Sequence, residues 1–221
     1  ALAKEAGVLG IVCVTTELAR EASRRHNAAP IASAALGYGM TGGALLGALL
    51  KAQQRVALKI EANGPLRKLV VEADAYGRVR GYVAEPDVLW PLPIGPDEVA
   101  DAIGYLGVLT VVKDLRLKDL YEGVVPLEFG ALDKELAHYL NRSEQVPSLV
   151  EMGVHLDGLG RLAAAGGLLF QLLPNADRSA LADLAERLED LPPLATLLVD
   201  GHTPEDILAR AFGPIDYMIL E

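Results

Sequence analysis

A single cysteine, Cys13, occurs in 221 residues, so neither an intrachain disulfide nor a thiolate cage for zinc can form within them. Positive charge is scarce as well: 20 Lys and Arg stand against 30 Asp and Glu, a formal net charge of −10. An acidic surface repels phosphate backbones, which excludes bulk nucleic-acid binding. Aromatics make up only 5%, leaving few platforms for stacking bases. The four histidines, His26, His138, His155 and His202, fall at none of the spacings that bring metal ligands together, so no metal site is expected. No Ser/His/Asp grouping, phosphate-binding loop or pair of catalytic carboxylates stands out, which points away from an enzyme. What is present is 51% hydrophobic and 23% charged residues, the balance of a compact globular chain. One large domain, or one domain with an appendage, is expected at this length. The lone cysteine suits a reducing, cytoplasmic compartment. Lys4 and the apolar run Val8 to Val14 only faintly imitate a signal peptide, because the run is short and no small-residue cleavage site follows it.

Val8 to Val14 is rich in β-branched residues and reads as a strand. Thr15 or Thr16 can cap a helix running to Arg25. Ala28 to Leu50 carries no charge at all. That length could span a bilayer, but the segment is mostly Ala and Gly, and a helix enclosed by protein is the better reading. From Val56 onward the period is two, with Val56, Leu58 and Ile60 alternating with Ala57, Lys59 and Glu61. Further strands are expected at Leu69–Ala73, Arg78–Ala84, Gly107–Lys113, Gly123–Leu127, Leu149–Leu156 and Ala163–Leu173. A helix is expected from Ala131 to about Gln145, where Pro147 ends it. Helices followed by a meander of strands make an α+β fold, a strand-rich core of packed sheets with helices. After Pro174 the character changes. Leu181, Leu184, Leu188 and Leu191 form one helical stripe, Pro192-Pro193 breaks it, and Thr203-Pro204 starts another helix. The expected division is a core over residues 1–175 and a small helical region over 176–221, whose apolar stripes must lie on the core or on something else.

One motif imitates a cofactor site. Gly37-x-Gly39-x-x-Gly42 fits the fingerprint in which glycines bring backbone against a dinucleotide pyrophosphate, and Glu61 follows at about the distance of the ribose-binding acid. The alternative it raises is a dinucleotide-binding oxidoreductase. Against it, the strand required before the motif would be Ile31 to Leu36, poor in strand formers. Cys13 sits between valines and reads as a buried, inert thiol. Asp183, Glu186, Glu189 and Asp190 read as a solvated helix face, and Arg142 with Glu144 as a local ion pair.

Five stretches carry a family resemblance: Gly64-Pro65-Leu66, Arg80-Gly81-Tyr82, Tyr121-Glu122-Gly123-Val124-Val125, Tyr139 through Pro147, and Ala164-Ala165-Gly166-Gly167 with Gln171 to Pro174. In this order they resemble the thirty-three-kilodalton heat-shock protein family of redox-regulated holdase chaperones. From charge and composition, no nucleic-acid or membrane partner is expected. The resemblance implies ATP-independent binding of unfolding proteins under oxidative and heat stress, and a homodimer. It also places a zinc-binding, disulfide-forming switch domain beyond Glu221, so no cofactor is expected on residues 1–221 and Cys13 matches none of the zinc ligands. It retires the nucleotide reading by placing Gly37 to Gly42 inside a core helix. The client surface expected on this basis is the leucine set Leu181, Leu184, Leu188, Leu194, Leu197 and Leu198.

Overall fold

The period-two stretches pair into two antiparallel sheets, and the charge-free stretch runs as one helix between them. The computed structural model describes residues 1–220. Its first half comprises strands β1 (Leu2–Ala3) and β2 (Val8–Val14), helices α1 (Thr16–Arg25) and α2 (Pro30–Ala48), strands β3 (Arg55–Ala62), β4 (Lys68–Asp74) and β5 (Val79–Val83), and helix α3 (Pro96–Ile103). Strands β6 (Gly107–Asp114) and β7 (Tyr121–Pro126), helix α4 (Leu132–Arg142), and strands β8 (Ser148–Leu156) and β9 (Leu162–Leu172) follow. Helices α5 (Ser179–Glu189), α6 (Leu194–Val199) and α7 (Pro204–Phe212) close the chain. The first sheet has the order β1-β2-β9-β8 and the second β5-β4-β3-β6-β7, with every pairing antiparallel. This is the α+β fold that the alternation predicts.

Alternation decides which way each strand faces. Val56, Leu58 and Ile60 turn inward and are buried, while Glu61 stays outside, where Lys68 Nζ meets it at 2.8 Å. Between the sheets lies α2, opened by Pro30 in its first turn, with sixteen of nineteen residues buried. A helix enclosed on all sides has no polar face to keep, which accounts for the missing charge. Its glycines seat it against both walls. A Cβ on Gly37 would lie 2.9 Å from Val154 in the first sheet, and one on Gly43 would lie 2.5 Å from Val71 in the second. Inside, Thr41 Oγ1 donates to the Gly37 carbonyl at 2.7 Å and accepts from Thr15 Oγ1 at 2.6 Å. Thr15 therefore pairs with a core hydroxyl instead of capping α1, whose first turn has no side-chain cap.

The same geometry removes the dinucleotide alternative. Gly37, Gly39 and Gly42 lie in mid-helix, and Ile31 to Leu36 form the first turns of α2 instead of a strand. No strand-to-helix turn is there to cradle a pyrophosphate. Two short helices were not expected from the sequence: α3, where Glu98 accepts the Gly95 N–H at 2.8 Å, and α6.

Candidate functional site

A second apolar cluster lies on the face of the first sheet that points away from α2. There β2 and β9 present Val8, Leu168, Phe170 and Leu172, and α5, α6 and α7 cover them. Leu181, Leu184, Leu194 and Leu197 are buried against this face, with Leu188 and Leu198 half-buried on its margin. All six leucines singled out from the sequence thus pack on the core. Asp183, Glu186, Glu189 and Asp190 point to solvent.

Aromatic rings fasten the segment at its far end. Phe212 meets Phe170 edge-on at 4.9 Å and stacks on Tyr217 at 4.7 Å. Gly10 makes room for both phenylalanines, since a Cβ there would stand 2.8 Å from each ring. Thr203 and Asp206 cap α7 reciprocally: Thr203 Oγ1 accepts the Asp206 N–H at 3.1 Å, and the Asp206 carboxylate accepts the Thr203 N–H at 3.0 Å. Beyond α7, Leu2 and Met218 exchange backbone hydrogen bonds of 2.8 and 3.0 Å, so the chain runs beside its own first strand. Ahead of these fastenings in the chain lie two breaks, Pro192-Pro193 and Gly201, the latter at φ +80°.

Glu151 of β8 reaches the start of α6. Burial pushes its carboxyl above the usual carboxylate range, the Leu194 N–H that it accepts opposes the shift, and the Asp133 charge adds to it. Burial raises Asp133 too. A carboxyl that titrates higher in the folded state holds its proton more tightly there. The folded, docked state is therefore favoured most below the ordinary Glu value of 4.5 and loses that advantage as pH rises through the raised value. Glu151→Gln keeps an oxygen for the Leu194 N–H and removes the charge. Its expected effect is a higher thermal midpoint at pH 7 and a flatter pH dependence, with the remaining slope due to Asp133. Faster amide exchange in α6 upon acidification of the parent chain would contradict this sign.

The stretch Tyr139 to Pro147 serves as scaffold. Asn141 Nδ2 donates to the Ala137 and Ser148 carbonyls at 2.7 and 2.9 Å, tying α4 to β8. Glu144 pairs with Lys113 of β6, both largely buried, and not with its sequence neighbour Arg142. Glu135, also buried, accepts the N–H groups of Glu128, Phe129 and Gly130 at 2.6 to 2.9 Å.

Zinc does not fit these residues. Cys13 is a lone thiol whose pKa burial pushes up to about 12 against a Gly167 backbone hydrogen bond, and among the described residues no three His, Cys, Asp or Glu side chains converge. Phe170, Gly10 and Glu151 carry no signal in the sequence that marks them as part of this face, and Phe212 carries one only through its place with Ile207, Leu208 and Ala211 on one helical stripe.

The family described as Hsp33 protein matches the chain over residues 1–221. The 33 kDa chaperonin of Geobacter sp. (strain M21) is 48% identical over 221 residues, covering all of this chain and 75% of that protein. That of Geobacillus kaustophilus is 40% identical over 222 residues, covering all of this chain and 76% of the relative. The crystal structure of the 33 kDa chaperonin from Thermotoga maritima superposes with a TM-score of 0.87 at 35% identity, over 96% of this chain and 73% of that one.

Proposed function

The chain belongs to the Hsp33 family, and from that premise we propose that it is a chaperone holding unfolding polypeptides, with no catalytic step of its own. One observation carries the reading: a wide apolar sheet face is covered only by a helical segment broken at Pro192-Pro193 and Gly201. In this reading residues 1–175 are the core and residues 176–221 a linker able to lift away. Lifting exposes Phe170 and Leu168 on the sheet and the six leucines on the helices. Exposing one such leucine costs ~1.5–3 kcal/mol, which an apolar client segment restores by covering it. The protein works in the cytoplasm, as a homodimer, with free sheet edges at β5 and β7 as pairing surfaces. Zinc and a disulfide switch, which the family resemblance implies, have no seat in residues 1–221.

The test is light scattering of a heat-unfolding client with this 221-residue chain present under reducing conditions. The expected result is suppression of aggregation that peroxide, zinc chelators and Cys13→Ser all leave unchanged. A thiol held at about 12 is almost entirely protonated at neutral pH and reacts slowly with oxidants. Absence of suppression would refute the chaperone reading. Suppression that appears only after peroxide and vanishes in Cys13→Ser would make Cys13 the switch.

A further inference from the structure

The end of the core at which α2 begins carries exposed leucines. Leu159, at the tip of the β8–β9 hairpin, is 73% exposed, and Leu89 and Leu92 of the proline-rich loop before α3 are 90% and 47% exposed. The two loops meet there, since a Cβ on Gly160 would lie 2.8 Å from Pro30 and 3.6 Å from Leu92. Apolar side chains gathered on neighbouring loops mark a contact surface, which single exposed leucines do not. These three stand apart from the cluster that α5, α6 and α7 cover.

Gly160 also borders a pocket of about 610 Å³ between α1, the start of α2 and the hairpin. Arg20, Arg24 and Arg161 line it against one acid, Asp157, an excess of 3 − 1 = +2 in a chain whose net charge is −10. Arg20 is fixed in place, because its Nε and Nη2 donate to the Leu162 and Ala163 carbonyls of β9 at 2.8 Å. Glu17, Glu21 and Asp157 pair with Arg20, Arg24 and Arg161, each three or four residues away along the chain. Exposed pairs of this kind contribute little, so a partner's carboxylate can take over a guanidinium at small cost. The first turn of α2, whose Ser33 lines the pocket, has neither an acid nor a side-chain cap and adds to the positive potential.

We propose that this end of the core is a docking surface for an acidic, leucine-bearing segment of a partner protein. Its carboxylates enter the arginine pocket, and its apolar side chains cover Leu159, Leu92 and Leu89. Charge complementarity selects the partner: a purely aliphatic segment gains nothing from the arginines, and a basic one is repelled. The surface is open while α5, α6 and α7 stay docked, so a partner can bind whether or not a client is held. Docking here goes beyond the chaperone reading and needs no part of it.

The probe is a fluorescein-labelled peptide alternating glutamate with leucine, followed by fluorescence anisotropy. Companion peptides carry lysine in place of glutamate, or serine in place of leucine. The glutamate–leucine peptide should bind at least about tenfold more tightly than either companion, and added salt should weaken it. Arg24→Glu with Arg161→Glu should cut its affinity at least about tenfold, as should Leu89→Ser with Leu159→Ser. All four positions are exposed, so both variants should keep the parent's thermal midpoint to within a few degrees. Suppression of client aggregation should be unchanged in both, and Phe212→Ala should leave peptide binding as it is. No binding of the glutamate–leucine peptide, undiminished binding in either variant, or equal binding of the lysine companion would overturn the docking surface while the chaperone reading stands. Peptide binding that rises in Phe212→Ala would put the peptide on the outer face of the first sheet and overturn it too. Loss of client suppression in either variant would make this a client site and overturn the separate partner. A dimer in sedimentation that dissociates with Arg24→Glu and Arg161→Glu would make the occupant a second copy of this chain, with the same consequence.

Discussion

Phe212→Ala is expected to release the helical segment from the first sheet while the two-sheet core stays folded. The ring is fully buried, contacts Phe170 edge-on and stacks on Tyr217, so its removal loses both aromatic contacts and leaves a cavity behind Gly10. Truncating a buried phenylalanine costs ~3–5 kcal/mol, which moves a docking equilibrium roughly a hundredfold to several thousandfold. Docked segments open with less free energy than the whole domain, so a cost of this size falls on docking first. Amide exchange should show protection lost over residues 179–212 and kept over α2 and β3. Aggregation suppression should rise in parallel. Simultaneous loss of protection in α2 would show the segment and core to be one cooperative unit. Release without any gain in suppression would show that the uncovered face does not hold clients.

Most of the core was legible because each strand of the second sheet has one buried and one wet face. Val56, Leu58 and Ile60 must alternate with Lys59 and Glu61 wherever such a sheet lies on a helix. The absence of charge from Ala28 to Leu50 was equally direct once its many Ala and Gly residues favoured a protein-enclosed helix over a bilayer span. β9 was harder to orient, because Leu168 and Phe170 face α6 and α7 while Leu169 faces α2, and both sides are apolar. α6 was legible only in part. Leu194, Leu197 and Leu198 fall at helical spacing, but six residues after Pro192-Pro193 are too few to read as a helix, and Gly153 and Gly166, on which it packs, become neighbours only through the hairpin register. The leucine stripe of α5 could be read from spacing, but the Phe170–Phe212 contact joins residues 42 positions apart, 212 − 170, with no local trace. Glu144 makes the same point for charge. Arg142 is nearer along the chain, yet β6 places Lys113 beside it in space.

Gly43→Val should be the most damaging substitution in α2, and Gly42→Ala next to it should stabilise. At Gly43 an added Cβ would stand 2.5 Å from Val71 Cγ1 and 3.4 Å from Val79 Cγ1. Val71 is β-branched, buried and fixed in the middle of β4, so it cannot swing aside. Replacing Gly by a better helix former gains at most ~1 kcal/mol, whereas overpacking a closed core costs ~1–3 kcal/mol and sometimes more. Valine adds two further methyl groups to that clash, so a loss at or above ~3 kcal/mol is expected, a large share of the ~5–15 kcal/mol stability of such a domain. Gly42 faces the other way, where its Cβ would meet Leu136 at 3.5 Å and Met152 at 3.8 Å, ordinary van der Waals distances. There the helical gain is unopposed and the thermal midpoint should rise. Urea unfolding of the two variants decides the matter by sign. If Gly43→Val were tolerated, α2 could not be wedged between rigid sheets, and the two walls of the core would have to move apart more freely than their packing allows.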